Sequence, residues 1–257
     1  MTVLDEIIVG VREDLEERRT SLSHLREMAL ELGATRDGLL ALRTPELSVI
    51  AEVKRASPSK GPLAPISDPA ELALSYELAG ASVVSVLTER RRFGGSLEDL
   101  AKVRQKISLP VLRKDFMVDE YQFYEARAYG ADIVLLIVAA LSQNQLRDFY
   151  DLAGSLEMRS LVEVHSLSEL ERALEISPEI VGVNSRNLKD LTINQEVFID
   201  LLPRIPESMV RVAESGISVR ADVVLAQSSG ASALLIGEAL VTGADPAATM
   251  RALLGRE

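Results

Sequence analysis

The sequence contains no cysteine and no tryptophan, and its only histidines are His24 and His165. A chain without cysteine has no disulfide, no thiolate metal site and no cysteine nucleophile. Two histidines also give little material for a histidine-based metal site. We therefore expect the chain to hold no metal.

The chain also lacks long apolar runs and any excess of positive charge. Its apolar run at residues 133–141 falls far short of the ~20 residues that a membrane-spanning helix needs. The N-terminus does not combine a basic segment with an apolar core, as a signal peptide does. The net charge is −11, whereas proteins that bind nucleic acids present a basic face. We therefore expect a cytoplasmic protein that binds neither membranes nor nucleic acid.

The chain has an ordinary globular composition, and from Leu47 onward two kinds of segment alternate regularly. Short runs rich in Val, Ile and Leu alternate with amphipathic segments, and the runs begin every ~20–35 residues, the spacing of a βα unit. Apolar runs without polar alternation are typical of parallel strands buried on both faces. They lie at residues 48–53, 82–87, 110–113, 132–137, 160–164, 180–184, 210–214 and 233–236.

Eight such units predict an α/β fold, a (β/α)8 TIM barrel at residues 47–257 that forms a single catalytic domain. The alternative is an open doubly wound sheet, but the Gly-x-Gly-x-x-Gly turn of that fold follows none of these runs. In residues 1–46 apolar side chains recur at helical spacing over 3–19 and again over about 22–32. We expect this N-terminal helical extension to pack over the catalytic face of the barrel, because its apolar stripe needs a surface to cover.

Charged residues concentrate at the predicted C-terminal ends of the strands, where such a barrel holds its active site. Glu52 and Lys54 alternate along the first strand and so share its inward face, and Ser57 and Lys60 follow in the next loop. Three of the six lysines, at positions 54, 60 and 114, lie at strand ends. This pattern predicts an anion-binding barrel mouth, and the alternative for the first strand is a plain Glu–Lys ion pair beside a polar loop.

Two later strand ends carry candidate proton-transfer groups. Lys114 at the third is a candidate general acid, electrophile or Schiff-base former. Glu163 at the fifth lies among apolar neighbours, which predicts a raised pKa suited to proton shuttling. His165, two residues further on, is more readily interpreted as a structural histidine.

The remaining strand ends predict how a substrate is held. Arg186 offers a bidentate fork for a carboxylate or phosphate. Gly216 and Gly237 follow the seventh and eighth strands, the phosphate-binding position of this fold. Phe93, in the loop after the second strand, either floors an aromatic pocket or is tucked into the core. A substrate with a phosphate, a second anionic group and an aromatic part fits this set.

Taken in order, these strand ends resemble those of the indole-3-glycerol-phosphate synthases of tryptophan biosynthesis. The first carries the specific motif IAEVKRASPSKG at residues 50–61. The others agree in order: LTE at 87–89 with FGGS at 93–96, LRKDF at 112–116, LVEVH at 161–165, GVNSRNL at 182–188 and AESGI at 213–217. The resemblance spans essentially the whole chain, including the extension.

The resemblance implies a carboxy-lyase without metal or cofactor. It would close the indole ring of 1-(2-carboxyphenylamino)-1-deoxyribulose 5-phosphate, with loss of carbon dioxide and water, to give indole-3-glycerol phosphate. By motif position, Lys114 protonates the ketone oxygen and Glu163 acts in the dehydration that follows. Lys54 binds the carboxylate and assists proton transfer, while Glu52 sets its charge and position. Asn184 orients the intermediate.

The resemblance also implies a set of substrate-binding residues: Ser57, Lys60, Phe93, Phe116, Arg186, Ser215, Gly216 and Gly237. The two phenylalanines stack the aryl ring, the arginine helps to orient the intermediate, and the two glycines bind the phosphate. The enzyme is expected to be a monomer with no second enzyme fused to it.

One position departs from the family pattern. Glu238 follows Gly237 where some relatives carry serine, and a carboxylate repels a phosphate at short range. We therefore expect Glu238 to point outward, so that backbone N–H groups hold the phosphate.

Two other functions stay open. One is a phosphosugar isomerase or class I aldolase on the same fold, in which a lysine of the aldolase would form a Schiff base. The other is a catalytically inactive barrel that serves in binding or assembly.

Overall fold

In the computed structural model, which describes residues 2–256, eight parallel strands form a closed barrel in which each strand pairs with the next and the last pairs with the first. The strands are β1 Ser48–Val53, β2 Val83–Leu87, β3 Val111–Lys114, β4 Ile133–Ile137, β5 Arg159–Val164, β6 Ile180–Asn184, β7 Val210–Glu214 and β8 Ala233–Ile236. The predicted (β/α)8 fold is confirmed, and each strand lies within one residue of its predicted bounds.

In the described chain three helices precede β1, each strand is followed by a helix, and a further helix comes after the one that follows β8. Their bounds are α1 Val3–Arg18, α2 Leu22–Glu31, α3 Gly38–Leu42, α4 Pro69–Leu78, α5 Leu97–Lys106, α6 Tyr121–Ala128, α7 Gln143–Ser155, α8 Leu167–Leu174, α9 Glu196–Leu201, α10 Arg220–Ser228, α11 Glu238–Thr242 and α12 Pro246–Leu254. A small antiparallel hairpin pairs Ala56–Ser57 with Gly61–Pro62 after β1. Neither the hairpin nor the helix α3 was predicted from the sequence. A helix of five residues is too short to show helical periodicity.

Burial explains why the strands show no polar alternation. All six residues of β1 and all five of β2 are buried, since one face looks into the barrel and the other packs on helices. Arg113 in β3 is a charged side chain that is nevertheless fully buried. It forms ion pairs of 2.9 Å with both Asp115 and Glu125, and Arg18 of α1 bonds the same Glu125 at 2.8 Å. This buried network ties α1 to the barrel.

The N-terminal extension contacts both ends of the barrel. At the C-terminal ends of the strands, acidic residues of α1 pair with Arg91 and Arg92 in the loop after β2, and Ile7 reaches the central cavity. At the opposite end, Gly38 of α3 packs against Ile133, the first residue of β4. Whether residues 1–46 are a unit separate from 47–257 stays a prediction. No helix within residues 2–256 has the length and apolarity required to cross a bilayer.

Candidate active site

A cavity of about 970 Å³ opens at the C-terminal ends of the strands, which is enough for a small phosphorylated molecule. Its walls include every residue predicted from the sequence to act in catalysis or binding. These are Glu52, Lys54, Ser57, Lys60, Phe93, Lys114, Phe116, Glu163, Asn184, Arg186, Ser215, Gly216 and Gly237. The residues are therefore brought together in one place, while their individual roles stay predictions.

Lys114, the last residue of β3, lines this cavity among carboxylates. Its Nζ lies 3.3 Å from Glu163 Oε2 and 3.5 Å from Glu214 Oε2, and its side chain is 14% exposed. Burial opposes the charge of the ammonium group, but the charges of Glu163, Glu214 and Glu52 outweigh burial and raise the pKa of Lys114 well above its usual range. Lys114 is therefore a charged ammonium group rather than a neutral amine.

The prediction that Glu163 has a raised pKa is wrong. Burial does act in that direction, but Lys114, His165 and Asn184 together outweigh it and hold the pKa of Glu163 well below its usual range. These three side chains come from β3, from the loop after β5 and from β6, so no local stretch of sequence reveals their combined effect. Glu163 is therefore a carboxylate throughout the neutral range.

Glu214, the last residue of β7, was missed as a site residue. Both of its carboxyl oxygens are buried without a hydrogen-bond partner among the described residues. Burial and the charge of Glu163 raise its pKa to about 8, against the attraction of Lys114. A signal was present in Gly182 of the adjacent strand, because a Cβ at that position would overlap Oε1 of Glu214. A glycine inside a buried strand marks the close approach of another group.

The pair predicted on β1 is present and faces the cavity. Lys54 Nζ lies 2.9 Å from Glu52 Oε2, so the plain ion pair and the site placement occur together. Gly237 lies against the same carboxylate, since a Cβ there would overlap Glu52 Oε2. The glycine therefore has a packing reason in addition to its predicted contact with phosphate.

Two aromatic side chains line another part of the cavity. The ring centroids of Phe93 and Phe116 are 6.3 Å apart and their planes are inclined by 38°. Phe116 is buried and Phe93 is partly buried against the core. The two rings face the cavity together, and a planar aryl group fits beside them.

Cationic side chains gather at the rim. Arg186 donates from Nη1 to Ser59 Oγ at 3.1 Å and to the carbonyl of Leu191 at 3.2 Å. Its backbone N–H donates to the side chain of Asn184 at 2.9 Å, so Asn184 shapes the loop that carries the arginine. The same rim holds Ser215 and Gly216 after β7.

The expectation that Glu238 points outward is wrong. Its carboxylate lines the cavity and forms an ion pair with Lys60 of the loop after β1. The reason is that the hairpin at Ala56–Ser57 and Gly61–Pro62 brings Lys60 within reach, and the backbone N–H of Lys60 is itself bonded to Ser57 Oγ at 3.3 Å. The ion pair neutralises the charge that would otherwise repel a phosphate.

Comparison with known proteins gives a consistent result over almost the whole chain. The model of the family described as indole-3-glycerol phosphate synthase matches residues 4–253. A relative named indole-3-glycerol phosphate synthase from Streptomyces griseus is 54% identical over 256 residues, covering 99% of this chain and 95% of the relative. Relatives of the same name from Kineococcus radiotolerans and a Nocardioides species are 56% and 53% identical, and the alignments cover 96% and 100% of this chain, and 92% and 100% of the respective relatives.

Solved structures that resemble this chain are more distant in sequence and share its fold. A 3-hexulose-6-phosphate synthase superposes with a TM-score of 0.64 at 17% identity, covering 81% of this chain and 99% of that one. A thiamine phosphate pyrophosphorylase from Pyrococcus furiosus superposes with a TM-score of 0.60 at 16% identity, covering 80% and 93%.

Proposed function

This chain belongs to the indole-3-glycerol phosphate synthase family, and we propose that the cavity at the barrel mouth is where it carries out the reaction of that family. The enzyme is a carboxy-lyase. It closes the indole ring of 1-(2-carboxyphenylamino)-1-deoxyribulose 5-phosphate and releases carbon dioxide and water. The observation that carries the assignment to this cavity is the buried ammonium group of Lys114, held between Glu163 and Glu214.

The first bond to form joins the carboxylate-bearing aryl carbon to the ketone carbon of the substrate. That ketone is a weak electrophile, so the step needs an acid at its oxygen. Lys114 is the acid, because its neighbours keep it protonated and because it lines the cavity. The ketone oxygen becomes a hydroxyl group, and the carbon–carbon bond to the carboxylate then breaks with release of carbon dioxide.

The second half of the reaction removes that hydroxyl group as water and leaves the ring double bond. A base must take a proton from the substrate while an acid protonates the departing oxygen. Glu163 is the base, since its carboxylate is ionised and lies 3.3 Å from the lysine that serves the oxygen. Lys54 binds the substrate carboxylate and assists proton transfer, and Glu52 holds Lys54 in place at 2.9 Å.

The two ends of the substrate are clamped so that the reacting carbons meet. The aryl ring lies beside Phe93 and Phe116. The phosphate lies at the rim, where Arg186 and Lys60 supply positive charge and Ser57 lies near the same loop. The backbone at Ser215, Gly216 and Gly237 lines the same rim, and Asn184 sets the loop of Arg186.

The aldolase alternative disagrees with the electrostatics of the site. A Schiff-base lysine must be a neutral amine when it attacks a carbonyl, and the carboxylates around Lys114 favour its charged form instead. Borohydride added during turnover should therefore leave Lys114 unmodified.

The test is ring closure of the synthetic substrate, followed by the fluorescence of the indole product. Lys114→Met keeps the length of the side chain and removes its proton and charge. We expect kcat to fall by ~10²-fold or more, the usual contribution of a general acid, with a smaller change in KM. The matched control is Lys102→Met, because Lys102 is exposed on α5 outside the cavity. Equal activity in both variants would remove Lys114 from catalysis.

We also propose that the enzyme acts as a monomer in the cytoplasm. One chain supplies every residue named above, so a second copy is not required to complete the cavity. A phosphorylated substrate carries charge that keeps it within the compartment where it is made. Light scattering after size-exclusion chromatography tests the monomer, and cell fractionation tests the location.

A further inference from the structure

We propose that His165 is a positioning residue for Glu163: in its charged form it pairs with Glu163 Oε1 and, together with Lys114 on Oε2, fixes the orientation of the catalytic carboxylate. This inference rests on the proposed function, because it assigns His165 a part in the same reaction without contact with the substrate.

The geometry around Glu163 is that of a carboxylate with one cation on each oxygen. Oε2 lies 3.3 Å from Lys114 Nζ, and Oε1 lies 3.3 Å from His165 Nε2. The Nε2 contact is an ion pair rather than an aligned hydrogen bond, since this buried nitrogen has no hydrogen-bond partner within residues 2–256. Glu163 itself is 1% exposed, so the two cations act on it in a poorly solvated place, where charges interact strongly.

A second carboxylate holds the imidazole from behind. His165 Nδ1 lies 3.1 Å from Glu169 Oε2, and the same oxygen accepts the backbone N–H of His165 at 2.8 Å. Glu169 sits in the first turn of α8, with its own N–H bonded to Ser166 Oγ at 3.3 Å. An imidazole with a carboxylate at each nitrogen is satisfied only when both nitrogens carry protons, which is the charged form.

The carboxylates beside His165 favour its charged form. Burial alone would lower its pKa, but Glu163 and Glu169 outweigh burial and raise it to about 9. Lys114 from β3 and the neutral amide of Asn184 from β6 lie on the Glu163 side, and the turn Val138–Ala140 after β4 carries no titratable side chain. His165 therefore stays charged through neutral pH and loses its proton as the pH rises through about 9.

The chain offers a direct measurement of this ionisation. With two histidines in the sequence, the imidazole Cε1–H region of the NMR spectrum contains two signals, and His24→Gln identifies the one from the exposed His24 of α2. We expect the His165 signal to titrate near pH 9 and to move down by ~1 unit or more in Glu169→Gln, which removes one neighbouring charge. A His165 signal that titrates below pH 7 in the wild-type protein would overturn the proposal.

The catalytic consequence is tested with His165→Asn, with His24→Gln as the matched control. We expect kcat to fall roughly 10- to 100-fold, a part of what a general base contributes, with KM nearly unchanged and His24→Gln equal to the wild type. In the wild type we expect kcat to decrease as His165 loses its proton near pH 9. This decrease should vanish in His165→Asn and move to lower pH in Glu169→Gln. Glu214 titrates nearby, at about 8, so the NMR midpoint identifies which part of the profile belongs to His165.

The outcomes separate the two claims. A wild-type enzyme without ring-closing activity contradicts the proposed function, whatever the NMR titration shows. An active wild type with an unchanged kcat and pH profile in His165→Asn contradicts the positioning role alone. If His165→Asn does not fold, Glu169→Gln decides, because it retains the imidazole and removes the charge of one neighbouring carboxylate. An unchanged NMR midpoint of His165 and an unchanged pH profile of kcat in Glu169→Gln would overturn the proposal.

Discussion

Replacing Glu214 by glutamine removes a carboxyl group whose ionisation differs between the folded and unfolded chain. Burial and the charge of Glu163 raise the pKa of Glu214 from 4.5 to about 8 in the fold. A group with a raised pKa binds its proton more tightly when folded, so the folded state loses stability relative to the unfolded state as the pH rises from 4.5 to about 8. Above that pH both states are ionised, and the loss levels off.

The size of the effect follows from the shift. Each pKa unit corresponds to about 1.4 kcal/mol, so the interval from 4.5 to pH 7 corresponds to roughly 3 kcal/mol and the whole shift to roughly 5 kcal/mol. Glutamine has the same shape and no proton to lose. The free energy of unfolding of Glu214→Gln minus that of the wild type should therefore increase by roughly 3 kcal/mol between pH 4.5 and 7. The contact of the new amide with Lys114 adds an offset that does not depend on pH.

Urea unfolding followed by circular dichroism at pH 5, 7 and 9 measures the gap, which is the difference in free energy of unfolding between the variant and the wild type. Glu207→Gln is the matched control, because Glu207 is exposed beside the start of β7, and its gap to the wild type should stay constant. A Glu214→Gln gap that is the same at all three pH values, or that narrows as the pH rises, would refute the reasoning. In that case Glu214 is ionised in the folded protein.

Two further substitutions test contacts of the same cavity. Gly182→Ala places a methyl group where Glu214 Oε1 now lies, so we expect a loss of roughly 1–3 kcal/mol in urea unfolding and a lower kcat in the ring-closure assay; an unchanged protein would show that the carboxyl group moves freely. Glu238→Ser releases Lys60 from its ion pair, so KM for the phosphorylated substrate should fall by up to about fivefold at low salt, the equivalent of ~1 kcal/mol for an exposed pair. A rise in KM would mean that the Glu238 carboxylate organises the phosphate end of the cavity.

The fold and the set of residues that line the cavity could be predicted from the sequence, because the barrel topology determines where the strand ends lie. Parallel strands of a closed barrel end on one rim, so chemistry-bearing residues at strand ends must meet there. Lys54 directly follows β1, Lys114 ends β3 and Glu163 lies near the end of β5, so the three line one cavity. The alternation of Glu52 and Lys54 on β1 adds the inward direction of their side chains.

What could not be predicted depends on distances between strands. The ionisation of Glu163 is set by side chains that lie 49 residues before it and two residues after it along the chain, and by Asn184 on β6. Glu238 was placed wrongly because the prediction considered only its repulsion of a phosphate, whereas its partner Lys60 lies 178 residues away along the chain. Local sequence predicts the face of the strand on which a side chain lies. The side chains that it contacts there come from other strands and depend on the closed barrel.

The charges at the barrel mouth explain why Glu214 is the group that keeps a proton. Apart from Lys60 with Glu238 at the rim and Arg113 with Asp115 in β3 and just after it, three cations pair with three carboxylates: Lys54 with Glu52, Lys114 with Glu163, and His165 with Glu169. Glu214 is a fourth carboxyl group with no cation of its own, since Lys114 lies closer to Glu163 than to it. Ionising it would leave an unpaired negative charge in a buried place, which is costly, so it is protonated until the pH exceeds about 8. In the proposed reaction a substrate carboxylate binds near Lys54 and would add another negative charge, which would favour the protonated form of Glu214 further. On the same proposal, loss of that carboxylate as carbon dioxide would remove the added charge. Glu214 would then hold its proton most tightly before the carbon–carbon bond breaks and less tightly during the dehydration, which requires proton transfer.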